Sequence, residues 1–329
     1  MSTYQPPFVI TPLILNQVIE VGELMGHWAA MAGRTSPLLR KENRIRTIQA
    51  SLAIEHNSLT TEQVTALMEG KRILAPAKDI QEVRNAILAY EKMSEWKSEK
   101  LSDLLQAHRV LMLGLVDNPG QLRTGNVGVY REKQLIHMAP PASQVFRLMN
   151  DLLGWLKTTE LHPLIAGAVF HYEFEFIHPF ADGNGRMGRL WQTLILREWR
   201  SELAWLPVET LIHYQQDRYY QVLGQCDRQS SCTLFIEFIL ENIISALQEG
   251  LGKSSALSEE MSEEMSPDLL DIEKRILQIL SNHPGRSAKS IADECELSAR
   301  TVERYLKALQ LKGKLQRVGA TKGGMWRVI

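Results

Sequence analysis

A polar, glycine-rich run, His178-Pro179-Phe180-Ala181-Asp182-Gly183-Asn184-Gly185-Arg186-Met187-Gly188-Arg189, separates two apolar segments with helical spacing, Leu164 to Phe176 and Leu190 to Leu196. A loop held between two core helices has to face something other than core. Gly183 and Gly185 permit backbone shapes that leave N–H groups exposed, and a helix starts right after them. Free amides at a helix N-terminus make a cradle for phosphate. Arg186 and Arg189, three apart, share one face of that helix and add two cationic forks. Asp182 is a hard oxygen ligand suited to a Mg2+ ion between phosphates. His178 can accept a proton near neutral pH. Base, metal ligand, anion cradle and charge clamp in one run are the equipment of phosphoryl or nucleotidyl transfer. The competing reading, a glycine turn with a stray histidine and two surface arginines, leaves their joint occurrence unexplained.

The rest of the chain reads as mainly α. At 329 residues it has room for two or three domains. Apolar residues recur at helical spacing over Leu13 to Met25, Ile45 to Leu52, Ile80 to Met93 and 101–113, with Thr60 as a helix N-cap. Residues 126–138 differ: two short segments flank a polar centre, which predicts a β-hairpin. The run KSSALSEEMSEEMSP, rich in small and acidic residues, predicts an exposed, mobile linker. Beyond it come three helical segments, Leu269 to Leu280, Ser287 to Glu294 and Ser298 to Leu311, then two strands joined by glycines. That order is a winged helix-turn-helix. The expected divisions are a helical N-terminal region, 1–97, a core, 98–247, a linker, 248–266, and a small winged-helix domain, 267–329.

Several classes are disfavoured. Cys226, Cys232 and Cys295 are odd in number and lack CxxC spacing, which argues against a disulfide framework or zinc site and suits a reducing compartment. The N-terminus has no signal-peptide pattern, and nowhere do about 18 apolar residues run together, so neither export nor a membrane is expected. The expected compartment is the cytoplasm. His162, His171 and His178 lack metal-site spacing, and His171 sits in an apolar helix as a core residue.

Position by position, the run His178–Arg189 resembles the Fic family signature HxFx(D/E)GNGRxxR, with every specified position filled. The resemblance covers roughly residues 1–245. It implies transfer of AMP from Mg-ATP to a Ser, Thr or Tyr hydroxyl of a protein. His178 would take the hydroxyl proton, and Asp182 would hold Mg2+ against the α- and β-phosphates. The backbone at Gly183 to Gly185, with Asn184, would cradle the phosphates, and Arg186 and Arg189 would bind the β and γ groups. Phe180 would anchor the loop. Tyr220 matches a family segment near the adenine pocket. The hairpin resembles the family's flap, which pairs with the target; Val129, Tyr130, Ile136 and His137 would form it. Relatives acting as kinases carry Lys in place of the second glycine, so Gly185 favours AMP transfer.

The segment Ser51-Leu52-Ala53-Ile54-Glu55-His56-Asn57 resembles the family's inhibitory motif, (S/T)xxxE(G/N), except that His56 stands where Gly or Asn is usual. The resemblance implies that Glu55 pairs with Arg189 and competes with the γ-phosphate. The winged helix resembles domains found behind Fic cores. From Asp268 to Ile329 it has 12 Lys and Arg against 7 Asp and Glu, a mildly basic balance that suits DNA contact through Arg300 and Arg304. The rival readings are a nucleotide-sensing, DNA-binding regulator with little transfer activity, and a Fic enzyme that removes AMP from its target. A homo-oligomer is compatible with either.

Overall fold

The computed structural model describes residues 4–31, 37–131, 134–263, 267–295, 297–311, 313–318 and 325–328. The chain divides into two compact units, Met1–Gly252 and Lys253–Ile329.

In the first unit, helices α1 (Pro12–Met31), α2 (Pro37–Ala53), α3 (Thr61–Met68), α4 (Ala77–Lys92) and α5 (Leu101–Met112) precede a hairpin of β1 (Gly128–Arg131) and β2 (Gln134–Met138). Then follow α6 (Ala142–Thr158), α7 (Pro163–Ile177), α8 (Asn184–Trp199), α9 (Val208–Tyr214), α10 (Gln216–Gln229) and α11 (Thr233–Glu263), the last running past the boundary at Gly252. Helix α7 is buried on nearly every side, as its all-round apolar sequence requires, and forms the axis of the unit. Gly188 of α8 lets the two helices approach: a Cβ there would come within 2.9 Å of His171 and 2.8 Å of Glu175 on α7. Ile14, Ile48, Trp96, Phe170, Trp191 and Phe238, from both sides of the division expected at residue 97, belong to one hydrophobic core.

The segment expected as a mobile linker differs. Residues 248–263 continue α11. Its Leu, Met, Ala, Lys and Glu are strong helix formers, and composition alone hid that preference. Glu249 pairs with Arg46 at 2.9 Å, and Gly250 lies against Trp28, so packing holds the helix beyond residue 247.

The second unit contains α12 (Pro267–Asn282), α13 (Ala288–Cys295), α14 (Ala299–Leu311), β3 (Leu315–Val318) and β4 (Met325–Val328). Its own core joins Ile276, Leu280, Ile291, Val302, Leu309, Leu315 and Trp326. Ser298 Oγ accepts the Thr301 N–H at 3.1 Å, capping α14. Strands β3 and β4 pair antiparallel, with Leu315 opposite Val328. Arg300 and Arg304 fall on α14, but their side chains lie outside the described residues. Among the described residues no helix is long and apolar enough to cross a membrane.

Candidate active site

Helix α7 ends at His178, whose backbone takes the left-handed conformation, φ 50°, and turns the chain into the loop. Gly183, φ 85°, then opens α8. A Cβ on Gly183 would meet the Met112 sulfur at 2.7 Å, so the position needs glycine for space as well as for conformation. Phe180 is fully buried and stacks on His108, with ring centroids 3.7 Å apart. His108 Nδ1 accepts the Gly120 N–H at 2.8 Å, so Nε2 carries the proton toward the Asp182 carbonyl at 3.0 Å. Burial holds this imidazole neutral, with its pKa lowered to about 4.

Asn184 does not extend its side chain toward a ligand. Its Oδ1 accepts the Phe180 N–H and its Nδ2 donates to the Phe180 carbonyl, both at 2.9 Å, so it closes the loop on itself. Arg123 braces the same loop from outside. Its guanidinium donates to the carbonyls of His178, Gly125, Pro140 and Ile177, tying both ends of the hairpin to the end of α7. Neither His108 nor Arg123 carries a local signal in the sequence; only the fold brings them to the loop.

The two arginines have different surroundings. Arg186 is buried and donates to Glu82 of α4 at 3.2 Å and to Asp182 at 3.0 Å. It therefore holds the loop acid in place. Arg189 is also buried. It reaches the Ser51 hydroxyl at 3.1 Å, the Ser51 carbonyl at 2.9 Å and Glu55 Oε1 at 2.7 Å. Burial pulls the Arg189 pKa down, but the Glu55 carboxylate outweighs it, and the guanidinium stays charged.

Glu55 reaches Arg189 because of how α2 stops. The His56 N–H bonds to the Ala53 carbonyl at 3.0 Å and the Asn57 N–H to the Leu52 carbonyl at 3.1 Å, with His56 at φ 67°. These are the two bonds of a Schellman ending, with His56 at the left-handed position that usually takes glycine. The Asn57 side chain then donates to Glu82 at 2.8 Å, the carboxylate that also holds Arg186. The turn at His56 and the loop thus share one buried acid.

Above these groups lies a cavity of about 570 Å³ lined by Glu55, Glu175, His178, Gly185, Arg189 and Tyr220, among others. His178 Nδ1 faces the Glu175 carbonyl, an acceptor only, at 3.4 Å, so the ring proton belongs on Nδ1 and Nε2 keeps its lone pair. Burial lowers the His178 pKa to about 4, leaving a neutral base at ordinary pH. Burial also pushes the Glu175 carboxyl up to about 7. His137 of β2 lines the cavity, whereas the side chains of Val129, Tyr130 and Ile136 lie outside the described residues. Asp182 is 55% exposed, and its described contacts, with Arg186 and the Gly183 N–H, are both on Oδ1. A single open carboxylate fits a Mg2+ ion whose other ligands are phosphates and water.

Residues 98–196 match the Fic/DOC family, and residues 269–316 match a winged helix-turn-helix DNA-binding family. The chain is 29% identical to the protein adenylyltransferase Fic of Nematostella vectensis, over 60% of its own length and 47% of that protein's. It is 30% identical to the protein adenylyltransferase Fic of Aedes aegypti, over 66% of its length and 44% of that protein's. The chain thus spans less than half of either adenylyltransferase. A crystal structure of a Fic family protein from Desulfovibrio desulfuricans G20 is 46% identical and superposes with a TM-score of 0.76, covering 99% of this chain and 98% of that one. A likeness that runs from end to end of both molecules makes this chain a member of the Fic family.

Proposed function

We propose that the protein transfers AMP from Mg-ATP to a Ser, Thr or Tyr hydroxyl of another protein, and that Glu55 restrains the reaction. The observation that carries this reading is the neutral His178, which lines the same cavity as Gly185 at the start of α8 and Arg189. Two arrangements belong together here, a proton acceptor and an anion site, and nucleotidyl transfer needs both. The target oxygen attacks the α-phosphorus while its proton passes to His178 Nε2. The bond to the departing pyrophosphate breaks in the same displacement. The first amides of α8 and Arg189 stabilise the charge that develops on the phosphates. Arg186, held by Glu82, keeps Asp182 in place. Asp182 would hold a Mg2+ ion, which supplies charge neutralisation between the phosphates when bound. Tyr220, which also lines the cavity, would meet the base.

Glu55 restrains this by taking the Arg189 donors that a γ-phosphate needs. The relatives named adenylyltransferases support the choice of donor and of reaction. The direct test incubates wild type, Glu55→Gly, and Glu55→Gly with His178→Ala with Mg2+ and α-labelled ATP, with lysate as target source. Label entering protein only with Glu55→Gly, and vanishing with His178→Ala, supports transferase and brake together. ATP binding without label transfer by any variant favours the nucleotide-sensing regulator instead. The winged-helix match favours a second role beside the first, contact with DNA through Arg300 and Arg304.

A further inference from the structure

His137, on the second strand of the hairpin, stands between two acceptors. Its Nδ1 lies 2.8 Å from Asp227 Oδ2 of α10, and its Nε2 lies 2.8 Å from the Phe176 carbonyl at the end of α7. A carboxylate and a carbonyl can only accept, and a neutral imidazole has a single N–H. Both contacts are therefore hydrogen bonds only when the ring carries two protons. Phe176 is two residues before His178, so this one ring ties β2 directly to the backbone that carries the base.

We propose that Asp227 and His137 are positioning residues that pin the hairpin beside His178, and that the pin holds only while His137 is an imidazolium. The hairpin needs such a pin. Strands β1 and β2 form a sheet of two strands, with a register shift between Val129 and Tyr130, and an isolated two-stranded sheet is marginal in water. Arg123 fastens only its base, at the carbonyls of Gly125 and Pro140. One pair in from the open end, opposite Val129, His137 sets where β2 lies over the cavity.

The charged neighbours act in both directions. Burial works against the imidazolium, but the Asp227 carboxylate, the Phe176 carbonyl and Glu175 of α7 outweigh it and hold the ring above its ordinary pKa. His178, on the same side, is held down partly by the His137 charge. Tyr172 of α7 donates to Asp227 Oδ1 at 2.8 Å and fixes the carboxylate that receives His137. The same neighbours thus favour charge on the hairpin histidine, and that charge adds to the burial that keeps His178 neutral. That the pinned hairpin serves target docking rests on the proposed transfer reaction; the pin itself does not.

The test is hydrogen exchange read by mass spectrometry on peptides covering residues 126–138 of the full chain, corrected for the intrinsic pH dependence of exchange. Wild type, His137→Gln and Asp227→Asn are compared from pH 6 to pH 9, without nucleotide or target. In wild type, protection is expected to fall about tenfold or more as the ring deprotonates, the loss of one charge-assisted hydrogen bond. Both variants should show the low protection already at pH 6 and no further change. Wild-type protection that does not vary with pH, or a His137→Gln hairpin as protected as wild type at pH 6, overturns the proposal. Because no transfer is measured, failure here is distinct from failure of the proposed reaction.

Discussion

Glu55 Oε1 lies 2.7 Å from Arg189 Nη2, a contact between positions 134 residues apart in the chain. The arginine side chain is 1% exposed and the glutamate 30%, so the pair is open to the cavity from the carboxylate side only. On the proposed reaction, a phosphate arriving from the cavity would meet the carboxylate first.

Glu55→Gly should therefore raise ATP affinity roughly 10- to 100-fold, the worth of one charge-assisted hydrogen bond to phosphate. The same change leaves Arg189 buried with only Ser51 as partner, which should lower stability by about 1–3 kcal/mol. Mg-ATP should then restore more thermal stability to the variant than it adds to wild type. Melting curves with and without Mg-ATP check both signs, and an equal gain in the two proteins would sink the competition argument.

What the sequence disclosed and what it hid divide along a physical line. Local chemistry was legible: the run from His178 to Arg189 shows its glycines, acid and arginines side by side, and the end of α2 shows Ser51 and Glu55. The winged helix was legible because its caps and periodicity are local too. Contacts across the fold were not, apart from the Glu55–Arg189 pair that the family resemblance supplied. Nothing near Glu82 says that it will hold both Asn57 and Arg186, and nothing near Asp227 says that it will meet His137. Residue type alone also did not show that the Asn184 amide closes the loop on Phe180, or that Arg186 is buried against Glu82 and Asp182.

Gly185 offers a sharper test of the brake. A Cβ at this position would run into the Glu55 carboxylate and come within 3.0 Å of Arg189 Nη1. Gly185→Ala should destabilise wild type and cost much less in the Glu55→Gly background, where the first obstacle is gone. A double-mutant cycle on unfolding free energy should give a coupling of about 1 kcal/mol or more, as for residues in contact. Additive effects would mean that Glu55 does not occupy this space in solution.

His178 should titrate far below an ordinary histidine. Its pKa is lowered to about 4 by burial, so the neutral, proton-accepting form persists well below pH 6.5. The sign for stability follows: the unfolded chain takes up a proton first. The contribution is complete above about pH 6.5 and is lost as pH falls toward 4, reaching about 3 kcal/mol at the lower end. An NMR titration of the His178 ring should show a midpoint near 4. A midpoint near 6.5 would place the ring in solvent and remove the ready-made base.

His56 holds a left-handed backbone, φ 67°, at the Schellman position. Glycine there avoids the clash of Cβ with the following carbonyl, so His56→Gly should stabilise the protein by up to about 1 kcal/mol. A firmer end to α2 also holds Glu55 more firmly on Arg189. Basal transfer should then fall as melting temperature rises, the opposite coupling to Glu55→Gly. Rising activity in His56→Gly would show that the turn is not what holds the glutamate in place.

The winged helix makes a separate prediction, because backbone contact with DNA is electrostatic and leaves a salt signature. Arg300 and Arg304 are four apart on α14, the helix that a winged helix-turn-helix lays in the major groove, and positions four apart fall on one face of a helix. If both meet phosphates, each Arg→Ala change should weaken binding to any duplex and reduce the salt slope by about 1. If either reads a base, its loss should relax preference at one position instead. Titrations of labelled duplexes at several salt concentrations separate these cases. Wild type that fails to bind duplex even at low salt, or variants with the wild-type affinity and slope, would leave the second unit as a protein-contact module.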